Sequence, residues 1–218
     1  MSVVINLSGG MDSATLLGYY RERKESCLCL NFYYGSKHGI REGLASEKVA
    51  NHYGCKLLKI NVENVFEHIE SNLLLSGGSI PDGHYEDESM KKTVVPGRNT
   101  ILVAIAAGIA ESRGYEKLSL AIHQGDHHIY PDCRPEWLGH IARSISSSTE
   151  GKVRVETPFL EWNKTDICRL GLLIKVPYSL TYTCYKGNQK SCGKCGSCTE
   201  RLEAFKTNKV PDPLTYEV

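Results

Sequence analysis

The stretch "VVINLSGGMDSATLL", residues 3–17, carries the first clue to the fold. An apolar run dense in β-formers leads into two glycines flanked by serines. An amphipathic segment follows, in which Leu16, Leu17 and Tyr20 share a face. The order strand, glycine turn, helix leaves a row of backbone N–H groups at a helix N-terminus, a natural anion site. Gly9 and Gly10 permit a close approach that side chains would block. Ser8 and Ser13 add hydroxyl donors, and Asp12 is placed either to cap the helix or to help hold Mg²⁺. The string is neither a Walker loop, which needs G-x-x-x-x-G-K-[ST], nor the dinucleotide fingerprint G-x-G-x-x-G.

Further along, short apolar runs recur: "CLCLNFY" at 27–33, "LLKINV" at 57–62, "LSLAI" at 118–122 and "KVRVE" at 152–156. They are nearly continuous rather than alternating, as expected of strands covered on both faces. Helical patterns lie between them. Ile40 with Leu44, and Ala45 with Val49, repeat at four-residue spacing, and "ILVAIAAGIA" at 101–110 is apolar all round and reads as a buried helix. The alternation predicts an α/β fold built on a doubly wound, mainly parallel sheet. The polar segment 76–92 reads as a mobile surface loop, with a lid as the sharper alternative. Beyond Thr157 the elements shorten, and Pro and Cys become more frequent. The expected division is therefore an α/β domain at 1–156 and a small helical C-terminal region at 157–218.

A net charge of +1 gives no long-range pull toward nucleic acid or an anionic membrane. No apolar run reaches the roughly 18 residues of a membrane span, and "MSVVINLSGG" lacks the features of a signal peptide. Nine cysteines are many for 218 residues. Their odd number, with no export signal, argues against a disulfide framework and for a reducing cytoplasm.

Four of the cysteines stand together in "CYKGNQKSCGKCGSC": Cys184, Cys192, Cys195 and Cys198. The pattern C-x7-C-x2-C-x2-C suits four thiolates around structural Zn²⁺, with no position left open for catalysis. An iron–sulfur cluster is the alternative, but the ferredoxin run has its fourth cysteine downstream and followed by proline. Cys27, Cys29 and Cys55 sit in or beside apolar strands and read as small hydrophobes, and Cys168 reads as helix interior.

Smaller constellations complete the list. Arg98 in "VVPGRNT" opens the apolar helix, where it is able to clamp phosphate or carboxylate. A surface arginine is the competing reading. "HQGDHHIYPDCRPEW" at 123–137 follows a strand at its carboxyl end, where doubly wound sheets keep their ligands. There Asp126 and Asp132 offer acceptors for a guanine-like N–H edge, and Tyr130 offers a flat ring. Lys164 starts a helix from which it is able to reach phosphate, with a solvated lysine as its rival. Lys37 and His38 follow the end of another strand and face either ligand or solvent.

The S-G-G-x-D-S string resembles the PP-loop of the ATP pyrophosphatase superfamily, of adenine nucleotide alpha hydrolase-like fold, whose members cleave ATP between the α- and β-phosphates. The loop, the "YG" turn ending in His38, "VPGRN", "YPDCRPEW" and "TYTCYKG…CGKCGSC…RLEAF" occur in one order over nearly the whole chain. Together they resemble the QueC family of queuosine precursor biosynthesis. Ser36-Lys37 departs from the family's Gln-Arg. The resemblance implies a ligase that uses ATP to turn 7-carboxy-7-deazaguanine and ammonia into 7-cyano-7-deazaguanine, releasing AMP and pyrophosphate. It implies that Ser8, Gly9, Gly10, Met11, Asp12, Ser13, Ala14 and Thr15 cradle ATP with Mg²⁺, and that the four tail cysteines bind Zn²⁺. Arg98 and Lys164 are the expected catalytic residues, and Asp126, Tyr130, Asp132 and Arg134 the expected substrate contacts. A homodimer is compatible with the resemblance, and no nucleic-acid or membrane partner is expected. Three other readings stay open: a tRNA thiolase of the same superfamily, an amide-forming relative, and a non-catalytic zinc-ribbon binding module.

Overall fold

A computed structural model describes residues 2–85 and 87–217. Five parallel strands form one sheet in the order β3-β2-β1-β4-β5. They are β1 (Ser2–Asn6), β2 (Ser26–Tyr33), β3 (Lys56–Asn61), β4 (Lys117–Ser119) and β5 (Arg154–Glu156). The helices are α1 (Met11–Glu22), α2 (Gly39–His52), the single turn α3 (Glu63–Phe66), α4 (Arg98–Ser112), α5 (Pro135–Ser148), α6 (Lys164–Leu173) and α7 (Gly196–Thr207). Side chains alternate across β1: Val4 joins the core shared with α4 and α5, whereas Val3 and Ile5 join the core shared with α1 and α6. Both faces of the sheet are thus covered, as the continuous apolar strands anticipate.

From β1 the chain winds outward through β2 to β3, then crosses back to place β4 on the other flank of β1. The reversal sets a topological switch between β1 and β4, where the loops leaving the two strands part and open a crevice. The predicted strand 118–122 is shorter than expected. Pairing with β1 stops at Ser119, and Leu120–Ile122 turn away to form part of the crevice wall.

Two helical expectations are corrected. In α2, Ala45 and Val49 are buried, but Ile40 and Leu44 are 70% and 46% exposed. At 3.6 residues per turn the two stripes lie about 140° apart, so only one of them is able to face the sheet. Helix α4 buries Leu102, Val103, Ala106, Ala107 and Ala110 and turns Ala104 and Gly108 outward. It is a surface helix with an apolar outer stripe rather than an enclosed one.

Segment 76–92 is anchored, not a solvated connector. Ile80, Tyr85 and Met90 are buried. The Gly83 amide donates to the Lys194 carbonyl at 3.0 Å, and Lys186 Nζ pairs with Asp82 at 2.6 Å. Beyond residue 157, Phe159, Ile167, Cys168 and Phe205 pack into the core that contains α1. A buried bidentate pair closes the end of the chain: Arg201 donates to Asp212 at 2.7 and 2.9 Å, and also to Thr181 and Thr183. No helix among the described residues is long and apolar enough to cross a membrane.

Candidate functional site

The carboxyl ends of β1, β2 and β4 open into one cavity of about 240 Å³. Its edge on the β1 side is the glycine turn. Gly9 adopts φ +93°, and a Cβ there would meet the Glu42 carbonyl oxygen and the Ser46 nitrogen at 2.6 Å. Glycine is required both by conformation and by the contact with α2. The turn is knitted by short bonds: the Gly10 amide donates to Ser8 Oγ at 3.1 Å, Ser8 and Ser13 hydroxyls lie 3.1 Å apart, and Ser13 Oγ donates to the Gly10 carbonyl. Helix α1 starts directly at Met11 with no side-chain cap, so its first N–H groups face the cavity mouth.

Ser8, Gly10, Met11, Asp12 and Ser13 line the cavity. The other three expected loop residues do not. Gly9 is turned against α2, Ala14 is core, and Thr15 Oγ1 donates to the Met11 carbonyl and meets Tyr178 OH at 2.8 Å.

Lys164 comes to the same place from the far end of the chain. Its Nζ lies 2.5 Å from Asp12 Oδ2 and 3.2 Å from Glu200 Oε2. Burial works against its charge, but Asp12, Glu200 and Asp126 more than offset this and hold Lys164 protonated above its ordinary range. His123 completes the group. Its Nδ1 accepts from the Gly125 amide, which places the proton on Nε2, 3.8 Å from Asp12 Oδ2 and 3.7 Å from Asp126 Oδ2. Two buried oxygens in this cluster have no hydrogen-bond partner: Asp12 Oδ1 and Glu200 Oε2, the latter facing Lys164 without hydrogen-bond geometry.

Arg98 also lines the cavity. Its guanidinium contacts Tyr34 OH at 3.4 Å and Asn99 Oδ1 at 3.2 Å. Asp126 and Tyr130 also line the cavity. Asp126 accepts from Tyr85 OH at 2.8 Å, and Tyr130 OH lies 3.1 Å from Thr93 Oγ1 and 3.4 Å from Tyr185 OH. Tyr34, Tyr85, Tyr130, Tyr182 and Tyr185 surround the space with rings, a lining suited to flat aromatic ligands.

Asp132 and Arg134 are placed elsewhere. Asp132 Oδ2 accepts the Asn99 amide at 2.9 Å, and its carbonyl accepts Asn99 Nδ2. Gly97 at the start of α4 has no side chain to cap with, and Asp132 supplies the missing acceptor across space. Arg134 is exposed and donates to the His127 carbonyl at 2.9 Å. Two wall residues, Glu42 and Tyr85, lacked a motif of their own, whereas Tyr34, Tyr182, Thr183 and Tyr185 lie within the "YG" and "TYTCYKG" motifs without having been singled out as cavity residues. Glu42 stands one helical turn past the flagged His38, which follows the carboxyl end of β2.

Beside the cavity, Cys184, Cys192, Cys195 and Cys198 bring four buried sulfurs within 4.8 Å of one another. Amides of Cys192, Lys194 and Cys195 donate to Cys184 and Cys192 sulfurs at 3.3–3.4 Å. Such N–H···S bonds stabilise thiolates, and the set is able to hold a metal ion.

Comparison with solved structures agrees with this architecture. A 4-thiouridine synthetase–RNA complex with bound ATP matches at TM-score 0.57 and 19% identity, covering 99% of this chain and 47% of that one. NMN synthetase from Francisella tularensis matches at 0.52 and 11%, covering 96% and 77%. These likenesses show that the chain shares their fold. Sequence similarity reaches further. A 7-cyano-7-deazaguanine synthase from Porphyromonas gingivalis is 45% identical over 214 residues, 98% of this chain and 96% of that one. Another from Caldicellulosiruptor saccharolyticus is 42% identical over 223 residues, covering 100% and 96%. The family model for queuosine biosynthesis protein QueC spans residues 2–209, from the first strand past the cysteine cluster. A sheet, loop and cysteine tail matched as one unit make this chain an enzyme of the QueC family.

Proposed function

We propose that the chain uses ATP to convert 7-carboxy-7-deazaguanine and ammonia to 7-cyano-7-deazaguanine, as a C–N-forming ligase that releases AMP and pyrophosphate. The observation that carries this reading is the full-length similarity to chains of that name, joined to one cavity that collects the glycine turn, Lys164, Arg98 and the tyrosine rings.

The chemistry follows from the problem of the leaving group. A carboxylate oxygen leaves poorly, so the acid attacks the α-phosphorus and expels pyrophosphate, which makes AMP the group to be displaced. Ammonia then attacks the acyl carbon, AMP departs, and the amide loses a proton. In a second round the amide oxygen attacks another ATP and expels pyrophosphate, and loss of AMP and of both N–H protons leaves the nitrile. Both rounds expel pyrophosphate, where charge accumulates on oxygens facing fixed donors. The N–H groups at the mouth of α1 and the Ser8 and Ser13 hydroxyls are the donors we assign to the departing diphosphate. Lys164, held by Asp12, neutralises charge at the α-phosphate. Arg98 orients the carboxylate that attacks.

Asp12 Oδ1, buried and unpartnered, fits a place in the shell of Mg²⁺, which supplies charge neutralisation on the phosphates when bound. The four cysteines fit tetrahedral Zn²⁺ in a closed, structural role. The odd count of nine cysteines suits a cytoplasmic setting. The test is mass spectrometry of products after incubation with ATP, Mg²⁺, ammonium and 7-carboxy-7-deazaguanine. Nitrile, AMP and pyrophosphate are expected. ADP, or an unchanged acid, would overturn the proposal.

A further inference from the structure

Of the acids in and around the cavity, three are already engaged. Asp12 is held by Lys164, Asp126 accepts from Tyr85, and Asp132 accepts the Asn99 amide; Glu200 is ion-paired with Lys164 and does not line the cavity. Glu42 is different. It lines the cavity from the first turn of α2, and its only ion-pair partner among the described residues is His38 Nε2, 3.5 Å away. Its backbone carbonyl packs against Gly9, so the side chain is rooted on a rigid element beside the phosphate turn. Burial pushes its carboxyl up to about 8, with Arg98 pulling the other way. The Glu42 side chain keeps 18% exposure, so a ligand in the cavity completes its desolvation and must supply donors for it to act as a carboxylate.

Arg98 lines the same cavity, near enough for its charge to act on Glu42, with Tyr34 OH and Asn99 Oδ1 as its hydrogen-bond partners. An acid and a guanidinium facing one flat, ring-lined space form a polar pair with a definite complement. A 2-aminopyrimidinone carries two adjacent N–H donors on one edge. Next to them stand the ring carbonyl and, in the base proposed above, the 7-carboxylate. A carboxylate accepts from the first set and a guanidinium donates to the second.

Resting on the reaction proposed above, we infer that Glu42 reads the N–H edge of the deazaguanine while Arg98 takes its carbonyl and carboxylate side. The role assigned from sequence to Asp132 passes to a residue on a different strand–helix connection. Adenine presents a different pattern at its pairing edge, with an acceptor nitrogen beside its amino group. Recognition of ATP by Glu42 is therefore a distinguishable outcome.

Steady-state AMP release tests this on the purified chain with ATP, Mg²⁺ and ammonium. The probes are 7-carboxy-7-deazaguanine and its analogue lacking the 2-amino group. Wild type is expected to favour the parent base by about tenfold or more in kcat/KM, because the analogue leaves Glu42 partly unpaired. Glu42→Gln, nearly isosteric, is expected to raise KM for the base about tenfold or more, to change KM for ATP by no more than about twofold, and to lose the preference for the 2-amino group. A KM change confined to ATP, or an unaltered preference in Glu42→Gln, would overturn the assignment. The wild-type arm needs no variant to fold. Turnover of both bases with equal efficiency sinks the Glu42 assignment alone, whereas no turnover of the parent base sinks the reaction itself.

Discussion

The ammonium of Lys164 stands 2.5 Å from Asp12 Oδ2, joining the first turn of α1 to the first residue of α6. The pair brings a cation of the C-terminal region to the mouth of the helix that faces the phosphates. Lys164→Met should therefore retain the fold, since α6 keeps its Asn163 cap, while losing electrostatic help where charge builds up. Pyrophosphate release should fall by about 10²–10³-fold in kcat, the usual effect of deleting one fixed donor at a developing charge. A coupled pyrophosphate assay checks this, and near-normal kcat would remove Lys164 from the chemistry.

Gly9 is the tightest point of the turn. Gly9→Ala places a methyl 2.6 Å from two backbone atoms of α2 at a φ of +93°. Left-handed strain and overpacking together should destabilise the chain by about 2–4 kcal/mol. Urea denaturation measures the loss. An unchanged midpoint would mean that α2 yields more readily than its contacts with β2 and β3 suggest.

The cysteine cluster predicts about one zinc per chain by elemental analysis, and Cys195→Ser should reduce that content and the melting temperature together. Iron with sulfide absorbance would replace zinc in the account.

Arg201 and Asp212 are 0% and 3% exposed as side chains. Arg201→Met leaves a buried carboxylate with only Tyr216 OH and the Leu214 amide as donors, and should cost about 3–5 kcal/mol. Adding Asp212→Leu should recover much of that loss, because the uncompensated charge is then gone. Denaturation of the single and double variants makes the comparison.

The pH dependence of stability separates two neighbours. Glu42 is raised by burial from 4.5 to about 8, so the folded chain holds a proton that the unfolded chain has released, and stability falls as pH rises between those values. His38 is lowered by burial, with Arg98 adding to the effect, from 6.5 to about 4, so its contribution to stability rises with pH and is complete above 6.5. Between pH 6.5 and 8 only the Glu42 slope of this pair remains. Glu42→Gln should flatten it, and parallel curves for variant and wild type would refute the assignment.

The parallel sheet, the glycine turn and the four clustered cysteines were legible because each rests on local pattern: apolar runs, dense glycine, fixed spacing. Arg98, Lys164, Asp126 and Tyr130 were legible by position, at strand ends and helix starts. Asp132 shows the limit of such reading: an acid beside a strand end suits a ligand or a distant helix terminus equally well, and the bare Gly97 start to which it is bonded lies 35 residues earlier in the chain. Ile40 and Leu44 misled because two apolar stripes compete for one buried face. Tyr182 and Tyr185 sit in the "TYTCYKG" motif and Tyr85 in the polar segment 76–92, but none of these segments has a periodicity that says which way a ring points, and tertiary packing turns them to the cavity.

Gly83 hydrogen-bonds to the cysteine-bearing turn at Lys194 and Thr199, and two residues later Tyr85 grips Asp126 across the crevice. The span between is too short to absorb much slack. Once the cysteine cluster is loaded with the metal it is able to hold, removing that ion should act like cutting a tent rope: the poles of the sheet stay standing while the canvas over the reacting groups sags, and catalysis should fade before the chain melts.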